Sequence, residues 1–263
     1  MKKRLLSMLV CLVMVLGFFP APSLATGAQS TFPVFSDMPD NWSTQALQNA
    51  VENGLLYGTD GKIMPNDNLT RAQMGAVIVR AFGASAKGDI SAFADVKPTD
   101  WFADDMAKAY QMGVIRGSGG KMNPNGAITR QEVFVILARA LKLAPAETVN
   151  RTFSDAGELA DWAKGEAYAL VNAGYVQGSD GKLAPAAFIS RAQFAQVMDN
   201  IVGQYIKQAG RVTQVSAGNV MVNVPSVTLK DLTVRGDLIV GDGVGDGEII
   251  LENVKITGRM VVR

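Results

Sequence analysis

Three arginines carry the chemistry this sequence can do: Arg71, Arg130 and Arg191, each behind a hydroxyl residue and two places before Gln or Glu. The tetrads are Thr70-Arg71-Ala72-Gln73, Thr129-Arg130-Gln131-Glu132 and Ser190-Arg191-Ala192-Gln193. Each reads as a capping box, in which the hydroxyl accepts from the amide three residues on and Gln or Glu reaches back. That puts each arginine at the first helical position, where a cation faces the positive end of the helix dipole at a cost of roughly 0.3–1 kcal/mol. Free N–H groups at a helix start suit an anion. A guanidinium fork added there makes a bidentate clamp for a carboxylate. The competing role is an ion pair inside the same unit, with Asp37, Asp95 or Asp155 as the acid. Trp42, Trp101 and Trp162 also have two readings, stacking on a sugar face or anchoring a core at the start of an amphipathic helix. Lys62, Lys121 and Lys182 either help hold a polyanion or are solvated turn lysines.

What is missing narrows the chemistry further. The chain of 263 residues has no histidine and one cysteine, Cys11. The commonest general base, the commonest zinc ligand and any disulfide framework go with them. Asp60-Gly61 and Asp180-Gly181 hint at calcium loops, but the ligand ladder is absent and Gly119 replaces the aspartate in between. We therefore expect no catalytic residues, no metal and no cofactor. Lys2, Lys3 and Arg4 precede an apolar run from Leu5 to Phe19, and Ser23-Leu24-Ala25 follows as a small-x-small cleavage site. Residues 1–25 thus read as a secretory signal, cut after Ala25 or, as second choice, Ala28, with no transmembrane segment left afterwards. Its loss leaves 22 basic against 24 acidic residues, a net charge of about −2. No basic run or basic aromatic stripe speaks for nucleic acid.

The elements that must position the arginines come in triplicate. Phe35-Ser36-Asp37, Phe93-Ala94-Asp95 and Phe153-Ser154-Asp155 open three units, and a tryptophan follows in each. From tryptophan the spacing is fixed: glycine after 12 (Gly54, Gly113, Gly174), glycine after 4 more (Gly58, Gly117, Gly178), proline after 7, arginine after 6. Apolar or small residues 5, 8 and 9 places after each tryptophan (Leu47, Ala50, Val51 in the first unit) fall on one helical face. Gly54, Gly113 and Gly174 sit where a helix ends in a left-handed residue. A second helix follows each capping box with its own apolar face, as in Met74, Val77, Ile78, Ala81 and Phe82. A unit of about 60 residues is marginal alone, so the three are expected to pack as one domain. The third unit departs most from the pattern, with Ala186-Ala187-Phe188 after its proline. On that ground Arg191 is expected to be the poorer ligand.

Phe-x-Asp, the tryptophan, the Gly-x-x-x-Gly turn and the Thr-Arg-x-Gln/Glu box in triplicate resemble S-layer homology domains. The resemblance covers about residues 35–202, with repeats at 31–83, 89–143 and 150–203. It implies an all-α, pseudo-threefold domain that anchors an exported protein at the cell surface. It also implies a partner, a secondary cell-wall polysaccharide or a peptidoglycan-linked polymer, whose pyruvate ketals supply the carboxylate for the arginines. By the same resemblance Thr70, Thr129, Ser190, the three aspartates and the three tryptophans are ligand-binding candidates with the arginines.

Residues 211–263 change character to alternating apolar strands, and Leu229–Val240 repeats as Leu251–Val262 at an offset of 22 residues. That length suits one turn of a parallel β-helix. Only two repeats are legible, so the region is expected to be incomplete, or to finish against another chain through exposed strand edges. The fold class expected is therefore α+β multidomain. The function expected is a non-enzymatic wall anchor. The alternatives are a wall-anchored polysaccharide-degrading enzyme whose catalytic part is missing, and a self-assembling S-layer structural protein.

Overall fold

Each repeated unit folds as two helices because its two apolar stripes are separated by a glycine turn. In the computed structural model, which describes residues 33–263, these are α1 (Thr44–Glu52) and α2 (Arg71–Phe82), α3 (Ala103–Gln111) and α4 (Arg130–Ala140), and α5 (Asp161–Asn172) and α6 (Arg191–Ile201). The expected secretory segment, 1–25, lies outside the described residues. Gly54, Gly113 and Gly174 adopt φ of +65°, +72° and +79°, the left-handed conformation expected of them after the first helix of each unit. Gly58, Gly117 and Gly178 are required for a different reason. A Cβ at any of them would collide with the ring of Phe35, Phe93 or Phe153, which opens the same unit.

The helices pair across units. α2 packs on α3, α4 on α5, and α6 returns to α1. All apolar residues predicted for the second-helix faces are buried, and one continuous cluster joins the three units. The ring closes in the main chain too. Leu69 N–H donates to Ile189 C=O at 3.0 Å, Ile189 N–H to Ile128 C=O at 3.1 Å, and Ile128 N–H to Leu69 C=O at 3.0 Å.

The chain then turns to short strands, making the whole a mixed α+β structure. β1 (Gln204–Ile206), β3 (Val220–Val222), β5 (Leu238–Val240) and β7 (Met260–Val262) form one sheet. β2 (Gly210–Val212), β4 (Val227–Val234) and β6 (Ile249–Ile256) form the other. Every pairing is parallel. Strands begin at Gln204, ahead of the point where alternation becomes legible, and the 22-residue offset returns as the register Leu229↔Leu251. The three-residue strands β3 and β5 are buried on both faces, since successive side chains point to opposite sides of the sheet and each side meets a core. Met221, Ile239 and Val261 join the helical core, while Val220, Val222, Leu238 and Val240 fill a second cluster with Val227, Leu229 and Val234.

Side chains from the strand region meet the C-terminal ends of all three second helices. Asn223 Nδ2 donates to Ala81 C=O at 2.7 Å, Asn219 Nδ2 to Ile201 C=O at 2.7 Å, and Arg263 Nη1 to Arg139 C=O at 3.1 Å. Helix-end carbonyls lack partners within their own helix, and a cation there meets the negative end of the dipole.

Candidate functional site

The capping boxes form as their sequences require. Thr70 Oγ1 accepts from Gln73 N–H, and Thr70 N–H donates to Gln73 Oε1 at 3.0 Å. Ser190 and Gln193 repeat that exchange. In the second unit Glu132 Oε2 receives both Thr129 N–H at 2.8 Å and the Thr129 hydroxyl at 2.7 Å. The arginines accordingly sit at the first helical position.

Their surroundings overturn two expectations. The N–H groups at the helix starts are not free. Arg71 and Ala72 donate to Gly126 and Pro124, Arg130 and Gln131 to Ala187 and Pro185, and Arg191 and Ala192 to Asp67 and Pro65, at 2.8–3.0 Å. An anion cannot use donors already committed to the next unit's loop. Nor do the arginines pair with an acid of their own unit. Each reaches the following unit: Arg71 Nε to Met122 C=O at 3.0 Å, Arg130 Nε to Leu183 C=O at 2.7 Å, Arg191 Nε to Ile63 C=O at 2.7 Å.

Asp37, Asp95 and Asp155 instead clamp the turns that supply those carbonyls. Asp37 accepts from Ile63 and Met64 N–H, Asp95 from Met122 and Asn123, and Asp155 from Leu183 and Ala184, at 2.7–2.9 Å. Burial pushes the Asp155 carboxyl up. The two N–H bonds and the nearby Lys182 outweigh it and hold the group below the ordinary carboxylate value. In the following units, positions 63–64, 122–123 and 183–184 thus link one aspartate to one arginine through the backbone.

Beyond these shared bonds the three arginines differ. Arg71 Nη1 pairs with Glu132 at 2.9 Å. Arg191 is 6% exposed and gives Nη2 to Tyr57 C=O at 2.7 Å. Arg130 forms no ion pair among the described residues, because Gln193 occupies the position that Glu132 holds beside Arg71. Burial pushes its guanidinium below the ordinary value, and Asp155 draws it partly back. Arg130 lines a cleft of ≈ 910 Å³ with Trp42, Lys182, Phe188 and Gln193. That size falls within the range usual for small-molecule sites. Three units meet in it, since Trp42 comes from the first, Arg130 from the second and Phe188 from the third.

The tryptophans are not core anchors. Trp42, Trp101 and Trp162 are 61%, 63% and 55% exposed. The buried anchors are Phe35 and Phe153, with Phe93 half-buried against the same cluster. The lower rank given to Arg191 also rested on a misplaced neighbour. The Ala186–Phe188 loop abuts Arg130, through Arg130 N–H to Ala187 C=O at 2.8 Å, while Arg191 faces the Pro65–Asp67 loop of the first unit. Gln193 and Asn200 also line the Arg130 cleft. Sequence reasoning missed them; Asn200 stands where the other copies carry Arg80 and Arg139, which was the one signal, while Gln193 matches Gln73 of the first copy.

The family comparison agrees with the geometry. The S-layer homology domain family matches residues 34–74, 92–134 and 152–195. The chain therefore carries three tandem S-layer homology domains. Among curated proteins it is 31% identical over 170 residues to "Exoglucanase XynX" of Acetivibrio thermocellus, covering 62% of this chain and 16% of that protein. It is 31% identical over 167 residues to "Surface-layer 125 kDa protein" of Lysinibacillus sphaericus, covering 61% and 14%. It is 30% identical over 202 residues to "S-layer protein sap" of Bacillus anthracis, covering 74% and 24%. The chain thus matches less than a quarter of each relative's length.

Proposed function

We propose that the protein is a non-covalent, non-catalytic anchor. The S-layer homology domains belong to a secreted protein of the cell wall or cell surface. They hold it there by binding an acidic secondary cell-wall polysaccharide, with a pyruvate-ketal carboxylate as the group recognised. A peptidoglycan-linked polymer with the same acid would serve the same groove. The observation that carries this reading is Arg130, whose guanidinium forms no ion pair among the described residues and lines an open cleft with an exposed tryptophan. Such an arginine in a partly desolvated groove favours a planar anion. Thr70, Thr129 and Ser190 fix the arginines at the helix starts, and Asp37, Asp95 and Asp155 hold the turns they lean on. Trp42, Trp101 and Trp162 are the stacking faces.

Two architectural readings go with it. The closed hydrogen-bond ring of Leu69, Ile128 and Ile189 supports a pseudo-threefold trimer of repeats. The all-parallel strand order in two sheets supports a β-helix-like C-terminal segment. A second function, self-association through that segment, is favoured by exposed Ile250, Leu251, Met260 and Val262 on β6 and β7, each paired on one side.

Sedimentation of residues 26–263 with cell-wall sacculi tests the anchor. Binding is expected to native walls, to vanish on walls stripped of secondary polymer, and to fall at least about tenfold for Arg130→Ala. Wild-type protein left in the supernatant of native walls would sink the proposal.

A further inference from the structure

The last turn of the strand stack ends in a core with no cover. Val227, Leu229, Leu232 and Val234 of β4 fill the second cluster, and β6 sets Ile249, Leu251, Val254 and Ile256 beside them in register. Leu229 is fully buried, whereas Leu251 is 37% exposed. Met260 and Val262 of β7, paired with buried Leu238 and Val240, are bare in the same way. Among the described residues nothing pairs on the outer edge of either strand. The facing of β6 is also symmetric. Asn253, with φ of 52°, interrupts the alternation as Asp231 does on β4. The eight residues therefore face inward, outward, inward, outward, outward, inward, outward, inward. That order reads the same from either end.

Resting on the self-association reading, we infer that the partner at this end is one second copy, with β6 laid antiparallel on β6 about a two-fold axis between Glu252 and Asn253. Reversing a symmetric pattern sets inward residues on inward ones, Ile249 against Ile256 and Leu251 against Val254 of the second copy. The two uncovered cores then bury each other's apolar surface. Ile250 stands opposite Lys255, and Glu252 opposite Asn253, so no like charges meet directly. Lys255 has Glu252 of the second copy as a diagonal neighbour, within reach of a long side chain. Head-to-tail stacking fits worse. It would lay β2 on β6, and β2 offers three residues, among them Gly210 and exposed Arg211, to an edge of eight. An isologous contact closes after two chains and leaves two helical rings on one body.

Sedimentation velocity of residues 26–263 over a concentration series is expected to show monomer and dimer and no larger species. Ile250→Lys, which sets a lysine against Lys255 at two symmetric places, is expected to weaken the dimer about tenfold. Adding Lys255→Glu turns both repulsions into attractions and is expected to restore the dimer to within about threefold. Residues 26–263 contain no cysteine, so an introduced pair reports the register alone. Ile250→Cys with Lys255→Cys is expected to give a covalent dimer on air oxidation. Ile250→Cys by itself is expected to give none, because the two like positions lie more than about 10 Å apart. Far-UV circular dichroism establishes that each variant is folded. Monomer at every concentration overturns the inference and the self-association reading together. Larger oligomers, a dimer indifferent to Ile250→Lys or not rescued by Lys255→Glu, no cross-link from the paired cysteines, or one from Ile250→Cys alone overturns the inference and leaves self-association standing.

Discussion

The same arginine at the same helical position meets three different fates, because its partner is supplied by the next copy. Arg71 finds Glu132, Arg191 finds the Tyr57 carbonyl, and Arg130 finds a cleft. A single change should convert one into another. Glu132→Gln keeps the return bond of its capping box, as Gln73 and Gln193 do, but removes the counter-ion of Arg71. We expect a second class of binding event for an acidic glycoside in calorimetry, with the capped helix intact. The aspartate clamps make a separate prediction. Asp155 has a folded-state value below its unfolded one, so its contribution is present above the ordinary carboxylate value and is lost as pH falls through the folded value. The melting temperature should hold from neutrality to about pH 4 and drop below it. Asp155→Ala strands two N–H groups and should cost about 1–3 kcal/mol in urea denaturation at neutral pH. The capping boxes and glycine turns were legible because their bonds span three or four residues. The arginine acceptors were not, since they lie 51 to 128 residues away. The two readings of the tryptophans stayed open in the sequence for the same reason, because exposure is decided by packing and not by residue type.

At the scale of elements, amphipathic stripes announced six helices but not their partners. Gly75 on α2 sits close against the second unit, since a Cβ there would lie 2.9 Å from Ile115 Cδ1 and 3.5 Å from Met106 Sδ. Gly75→Leu should cost about 1–3 kcal/mol by overpacking the α2–α3 contact, read as a shift in denaturant midpoint without a change in slope. In the strand region the 22-residue offset was visible because β4 and β6 are eight residues long and interrupt their alternation at the same place, Asp231 and Asn253, both with φ of 52°. The stacked strands before them were not. They have three residues each and follow one another at shorter spacings such as Gln204↔Val220, and β3 is buried on both faces, so no alternating signal survives.

Across the whole molecule the strand region is tied to the ring through Arg263. Arg263 is nearly buried, pairs with Asp242 at 3.1 Å, and donates to the carbonyls of Arg139 and Met112. Arg263→Ala should therefore cost about 3 kcal/mol, leaving Asp242 without its partner, and should show in hydrogen exchange as loosening at the end of α4. Helix pairing between copies, shared main-chain bonds and a continuous core also predict one cooperative transition. Tryptophan fluorescence and far-UV circular dichroism should trace coincident urea curves. Separate transitions for strands and helices would contradict that. The size of one unit and its triplication suggested that the three copies pack as one domain, while the pairing of α6 with α1 is seen in space.

That closure governs how the molecule bears load. A pull at Arg263 loads the second repeat through Arg139 and Met112 and reaches α6 through the strand region, and α6 is bonded at its start to the Pro65–Asp67 loop and packed on α1. Tension thus acts on the first repeat and the last at once. The three repeats cannot peel off in turn like beads from a string. They hold together up to one threshold force and then give way in a single step.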